Sequence, residues 1–228
     1  MFSEAGDGEI ACVLFDLDGT LVDSRRDIAT ALDAALAVHR LGPLGVERAS
    51  AMVGDGVRRL VERAIAATRG DAAIADDLIA TYMNAYRVTH LETTVLYPGV
   101  ANTLADLARR DIACGVVTNK PHEFSVSLLE HLNVRSYFEV VIGGDTLGQR
   151  KPDPAPLRVA MAACGATAAM TAMVGDGEAD VLAGKAAGVR TVAVTYGFRS
   201  AESLAALGPD AMIDAMADLI GAISPAVR

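Results

Sequence analysis

The stretch from Ile10 to Ser24, IACVLFDLDGTLVDS, constrains the rest of the chain more than any other. An apolar run from Ile10 to Phe15 stops at two acids, Asp16 and Asp18, followed at once by Gly19. An unbroken apolar run closed by a turn signal predicts a strand buried on both faces, as in the middle of a parallel sheet. In open α/β sheets ligands bind just past the carboxyl ends of the strands, so Asp16 and Asp18 stand where chemistry is expected. Gly19 admits a tight turn, and the Thr20 hydroxyl is suited to hold it by a local hydrogen bond. Aspartates at such a place also serve as ordinary turn and cap residues, and the choice depends on what the rest of the chain supplies.

After Ser24 the period changes from strand to helix. Ile28, Leu32, Ala35 and Leu36 recur at helical spacing until Gly42-Pro43, with Asp23 and Ser24 as natural caps. A short segment and the turn Val53-Gly54-Asp55-Gly56 lead to a second amphipathic helix through Val57, Leu60, Val61, Ala64 and Ile65, and a third runs from about Ala72 to His90. Three helices with no strand between them predict a helical insertion, residues 25–93, set into an α/β domain made of residues 1–24 and 94–228. From Val95 onward strands and helices alternate: strands over 112–118, 138–142, 170–174, 191–194 and 211–213, with helices between them. That rhythm calls for a doubly wound parallel sheet covered on both faces.

With 228 residues the chain has room for such a core plus a small insertion. A net charge of -9 and a pI near 4.9, with no basic block, make nucleic acid and anionic membrane surfaces poor partners. The N-terminus MFSEAGDG has no basic segment before an apolar core, and the longest nearly apolar run, 159–174, is too short to span a bilayer. A cytoplasmic location is expected. Cys12, Cys114 and Cys164 each lie in an apolar stretch without metal-ligand spacing and are expected to be buried, inert thiols.

Four of the expected strand ends carry polar groups: Asp16 and Asp18; Thr118 and Asn119; Lys151 in the loop Arg150-Lys151-Pro152-Asp153-Pro154; and Asp176, with Asp180 one helical turn on. In a doubly wound sheet such ends meet at one crevice. Asp16 and Asp176, with Asp180 and a backbone carbonyl such as that of Asp18, form a hard all-oxygen set suited to Mg²⁺. A plain helix cap remains open for Asp176, and a solvated helix acid for Asp180. Thr118, Asn119 and Lys151 are phosphate ligands by chemistry. An ionised carboxylate is a nucleophile without the help of a base, so Asp16 is placed to attack phosphorus. Asp18 is then placed to protonate the leaving oxygen and later to activate water.

FDLDGTLVDS (Phe15 to Ser24), VVTNK (Val116 to Lys120), RKPDP (Arg150 to Pro154) and VGDGEAD (Val174 to Asp180) together resemble the haloacid dehalogenase superfamily and, within it, the phosphoglycolate phosphatase group. The likeness covers nearly the whole chain. It implies Asp16 as nucleophile and Asp18 as acid and base. It also implies Thr118 and Lys151 as phosphate ligands, and Asp16, Asp18 and Asp176 as ligands of Mg²⁺. It implies a helical cap inserted after the first motif, where residues 25–93 stand. Gly177 departs from the family's usual Ser at that place. Asp18 favours phosphoryl transfer, because dehalogenases release a halide that needs no proton.

Substrate choice is expected to lie in the insertion. The turn at Val53 to Gly56 followed by Arg58 resembles the cap loop of phosphoglycolate phosphatases, and Arg58 is a candidate to meet a substrate carboxylate, against the alternative of an exposed helix arginine. The expected substrate is a small phosphorylated metabolite, 2-phosphoglycolate first. Amino-sugar or sugar phosphates and pyrophosphate are alternatives on the same chemistry, with phosphomutase activity behind them. The chain is expected to be a monomer or a homodimer.

Overall fold

All four side chains of the first strand, β1 (Cys12–Phe15), are buried, and they divide between two cores. Val13 and Phe15 point to one, Cys12 and Leu14 to the other, as the two-residue period of a strand requires. The computed structural model describes residues 9–224; the octet MFSEAGDG, read above for targeting, lies outside them. The chain continues through β2 (Val22–Asp23), α1 (Arg25–Val38), α2 (Gly45–Ser50), α3 (Val57–Thr68), α4 (Ala75–Thr89) and β3 (Val95–Leu96). Then follow α5 (Val100–Arg109), β4 (Ala113–Val117), α6 (His122–His131), β5 (Val140–Ile142), α7 (Ala155–Ala163) and β6 (Thr171–Gly175). The last elements are α8 (Glu178–Ala187), β7 (Arg190–Val194), α9 (Ala201–Ala206), β8 (Ala211–Ile213) and α10 (Leu219–Ile223).

Six strands form one parallel sheet in the order β5-β4-β1-β6-β7-β8. The chain builds the sheet to one side of β1 and then to the other, so the strand order reverses at β1, where ligands of open α/β sheets bind. Phe15 is level with Val116 on β4 and with Val174 on β6. The residues that follow, Asp16, Thr118 and Asp176, therefore leave the sheet along one edge.

A third core lies among α1, α3 and α4, with Leu32, Leu36, Leu60, Val61, Leu78 and Tyr86 buried in it. Burying each such leucine contributes about 1.5–3 kcal/mol. Phe124 of α6 joins this cluster and packs edge-on against Tyr86. The chain crosses into and out of these helices side by side: β2 pairs antiparallel with β3, and the buried Asp27 accepts hydrogen bonds from the backbone N–H and hydroxyl of both Thr93 and Thr94.

Two sequence expectations are corrected. Four α-helices, not three, occupy this stretch, because α2 has only six residues, too few to show a helical period. Cys164 is half-buried rather than buried; Cys12 and Cys114 are buried, and all three thiols are free. Among the described residues no helix is long and apolar enough to cross a membrane.

Candidate active site

The turn after β1 brings the first two acids to the sheet edge, where both line one cleft but meet different partners. Gly19 makes that turn with φ +83°, and a Cβ there would lie 2.2 Å from Asp176 Oδ2, so both the backbone conformation and the close approach demand glycine. Thr20 donates to Asp176 Oδ1 at 3.3 Å, joining the first motif to the end of β6.

On one side Asp16, Asp176 and Asp180 gather, each offering a carboxylate oxygen within 4.8 Å of the others. One ammonium reaches two of them: Lys151 Nζ lies 3.0 Å from Asp16 Oδ1 and donates to Asp180 Oδ1 at 2.6 Å. Asp16 Oδ1 has no partner in hydrogen-bonding geometry, although Lys151 is near. The backbone N–H of Gly177 donates to the other oxygen of Asp180 at 2.9 Å, and that of Phe198 donates to Asp176 Oδ2 at 2.7 Å. Burial, then repulsion from Asp16 and Asp180, pushes the Asp176 carboxyl up to about 8. Burial also raises Asp180, to about 6, against the pull of Lys151. For Lys151, burial acts downward, and the Asp16 and Asp180 carboxylates outweigh it and hold the ammonium above its usual range. Three acids against one ammonium would carry surplus negative charge if all ionised, which burial resists, and among the described residues Lys151 is the one cation beside Asp16 Oδ1. A hard divalent cation fits such a donor set.

On the other side the Asp18 carboxylate is not part of that cluster. Lys120 Nζ lies 3.0 Å from each of its oxygens, and the Ser24 hydroxyl donates to Oδ1 at 2.5 Å. Of the expected metal set, Asp18 therefore has only its backbone to offer. The sequence reading gave Lys120 no role; its place directly after Thr118-Asn119 at a strand end was the available signal.

Thr118 is buried and lines a cleft between the sheet edge and the helical core, together with Asp16, Asp18, Asn119 and Lys120. The Asn119 amide nitrogen is committed to the carbonyls of Gly54 and Lys151, both at 3.0 Å, so it ties the α2–α3 turn to the lysine loop and is not free for a phosphate. Arg199 adds a second tie to that turn, donating to the carbonyls of Ala51 and Val53 at 2.6 and 2.7 Å. Arg58 is not brought to the site: its exposed guanidinium pairs with Asp76 at 2.8 Å. Gly177, with no hydroxyl, caps α8 through its backbone alone.

A family model for haloacid dehalogenase-like hydrolases matches residues 13–194. The phosphoglycolate phosphatase of Pseudomonas putida is 42% identical over 219 residues, covering 94% of this chain and 80% of its own. That of Photorhabdus laumondii is 39% identical, covering 94% of this chain and 92% of its own. Among solved structures, a Haemophilus somnus protein described as a predicted phosphoglycolate phosphatase superposes with a TM-score of 0.87 at 28% identity, over 94% of this chain and 98% of that one.

Proposed function

Because the chain belongs to the haloacid dehalogenase-like hydrolases and, within them, to the phosphoglycolate phosphatase family, we propose that it is a Mg²⁺-dependent phosphatase converting 2-phosphoglycolate and water to glycolate and phosphate. The observation that carries this reading is the pair of acids Asp16 and Asp18 lining one cleft with different partners: Asp16 lies beside Lys151 and the other two acids, and Asp18 is held by Lys120 and Ser24. The match to phosphoglycolate phosphatases over nearly the whole chain supports the substrate.

Asp16 attacks phosphorus, and the bond from phosphorus to the ester oxygen breaks as Asp18, having taken up a proton from the entering phosphate monoanion, gives a proton to that oxygen. Glycolate leaves and an aspartyl-phosphate remains on Asp16. Asp18, now a carboxylate, takes a proton from water; the resulting hydroxide attacks phosphorus, releasing phosphate and restoring Asp16. Lys151 and the Thr118 hydroxyl bind the phosphoryl oxygens, and Asp180 holds the Lys151 ammonium in place. Asp16 and Asp176, backed by Asp180, would hold the Mg²⁺ ion, which supplies further neutralisation of the phosphoryl charge. Residues 25–93 act as a cap over the site, tied down through Asn119 and Arg199.

The test is kcat/KM with Mg²⁺ for 2-phosphoglycolate beside sugar phosphates, pyrophosphate and p-nitrophenyl phosphate, with Asp16→Asn as blank. Phosphoglycolate should lead by about 100-fold, roughly 2.7 kcal/mol of transition-state preference. A flat profile would leave the phosphatase chemistry and remove the named substrate. Activity that survives chelation would remove the metal.

A further inference from the structure

Phosphoryl transfer uses one wall of the cleft; the facing wall has a different chemistry. It is largely apolar, built by Ile28, Val57, Leu60, Tyr82 and Phe124. Among the described residues that line the cleft, the one basic side chain is Lys120. Its ammonium is buried, in contact with both oxygens of Asp18, and it donates to the Tyr86 hydroxyl at 2.6 Å. Tyr86 is itself buried, and among the described residues its own O–H has no acceptor.

This arrangement offers an incoming anion two things. A carboxylate is a stronger acceptor for an ammonium than a phenol oxygen is, so it would take over the N–H now directed at Tyr86. The Tyr86 hydroxyl would then donate to the same carboxylate. Position favours this exchange. The ester oxygen that Asp18 protonates is separated from the carboxylate of a glycolate leaving group by a single methylene, and Lys120 already touches Asp18. A leaving group that receives its proton from Asp18 therefore carries its carboxylate into reach of Lys120 Nζ.

We infer that Lys120, helped by the Tyr86 hydroxyl, recognises the carboxylate of the substrate and so selects short acid-bearing phosphomonoesters over neutral ones of the same size. This rests on the phosphatase reading above and assigns to Lys120 the role that the sequence suggested for Arg58. A neutral leaving group would leave the ammonium with its weaker phenol acceptor and set its own hydroxyls against apolar wall, both of which disfavour it.

The test compares kcat/KM for 2-phosphoglycolate with that for 2-hydroxyethyl phosphate, in which a CH₂OH group replaces the carboxylate. Wild type should prefer the acid by about 100-fold, since a site with a buried polar group strongly rejects the analogue that fails to pair it. Lys120→Met should lower both values, because Asp18 loses its partner, and should bring their ratio to within about threefold of one. Lys120→Arg, which keeps the charge and pairs with Asp18, should lower the ratio about tenfold, and Tyr86→Phe about threefold. These two variants decide the matter if Lys120→Met does not fold. A ratio unchanged in every folded variant overturns the assignment, as does a wild-type ratio near one, and in both cases the phosphatase reading stands. Wild type inactive on both esters overturns that reading and this one together.

Discussion

Asp16 shares a single ammonium with Asp180, beside the buried Asp176; two residues on, Asp18 has an ammonium of its own. The first cluster holds more acid than its ammonium can balance, and the second is balanced. The difference teaches what each carboxylate is suited to do. Acids in excess of the available ammonium call for a cation, which would keep Asp16 ionised for attack. A balanced pair instead holds Asp18 at a fixed place, where a proton carrier is needed.

The comparison can be broken first at Asp16. Asp16→Asn should lower kcat by about 10⁴-fold or more, on the order of 5.5 kcal/mol of barrier, with an unchanged circular-dichroism spectrum; an active variant would remove Asp16 as nucleophile. The balanced cluster should respond in stability as well. Asp18→Asn leaves the buried Lys120 without its counter-charge, so urea unfolding should show a loss of about 3–5 kcal/mol, clearly more than for Asp16→Asn. Equal losses would erase the distinction between the two clusters.

The surplus charge predicts a pH dependence of opposite sense to that of ordinary paired acids. Folding raises the Asp176 carboxyl from 3.8 to about 8 and Asp180 from 3.8 to about 6. Ionising them in the metal-free protein therefore costs stability: nothing below about pH 4, more as pH rises, and the full amount above about pH 8. Mg²⁺ should relieve that cost, contributing about 2.7 kcal/mol at one hundred times its dissociation constant. The gap in melting temperature between Mg²⁺-loaded and metal-free protein should be wider at pH 8 than at pH 5; an equal gap would argue against a cation among these acids. The smallest effect is expected at Thr118, whose hydroxyl makes one bond to a phosphoryl oxygen. Thr118→Val should lower kcat/KM about tenfold, near 1.4 kcal/mol, and no change would take Thr118 out of the phosphate site.

Asp16, Asp18, Thr118 and Asp176 were legible in the sequence because each closely follows a run of buried strand residues, and a parallel sheet aligns such ends without further information; Lys151 was legible from its place beside two prolines and Asp180 from its spacing one helical turn past Asp176. The alternation of elements likewise follows from period and punctuation, and the sheet edge bears it out. Pairing was not legible. Lys120 finds Asp18 across 102 residues and Tyr86 across 34, and no local pattern encodes which of several acids a lysine will meet. Arg58 shows the converse: the likeness of the preceding turn to a cap loop suggested a pocket, and an aspartate 18 residues on pairs with it at the surface. Arg199, whose targets are backbone carbonyls about 150 residues earlier, left no mark that side-chain type alone can carry.

The antiparallel contact of Val22 and Asp23 with Leu96 and Val95, locked by Asp27 onto Thr93 and Thr94, has a kinematic consequence. An insertion joined by two separate tethers resists rotation, because each tether constrains a different axis. Here the two tethers are fastened to each other and amount to a single pivot. Swinging the helices about it leaves every parallel strand in register; the contacts that must part include the bonds of Asn119 and Arg199 to the carbonyls of the α2–α3 turn, that of Lys120 to Tyr86, and the packing of Phe124 into the helical core. The molecule is built like a clasp, with a permanent hinge on one side and a few releasable catches on the other.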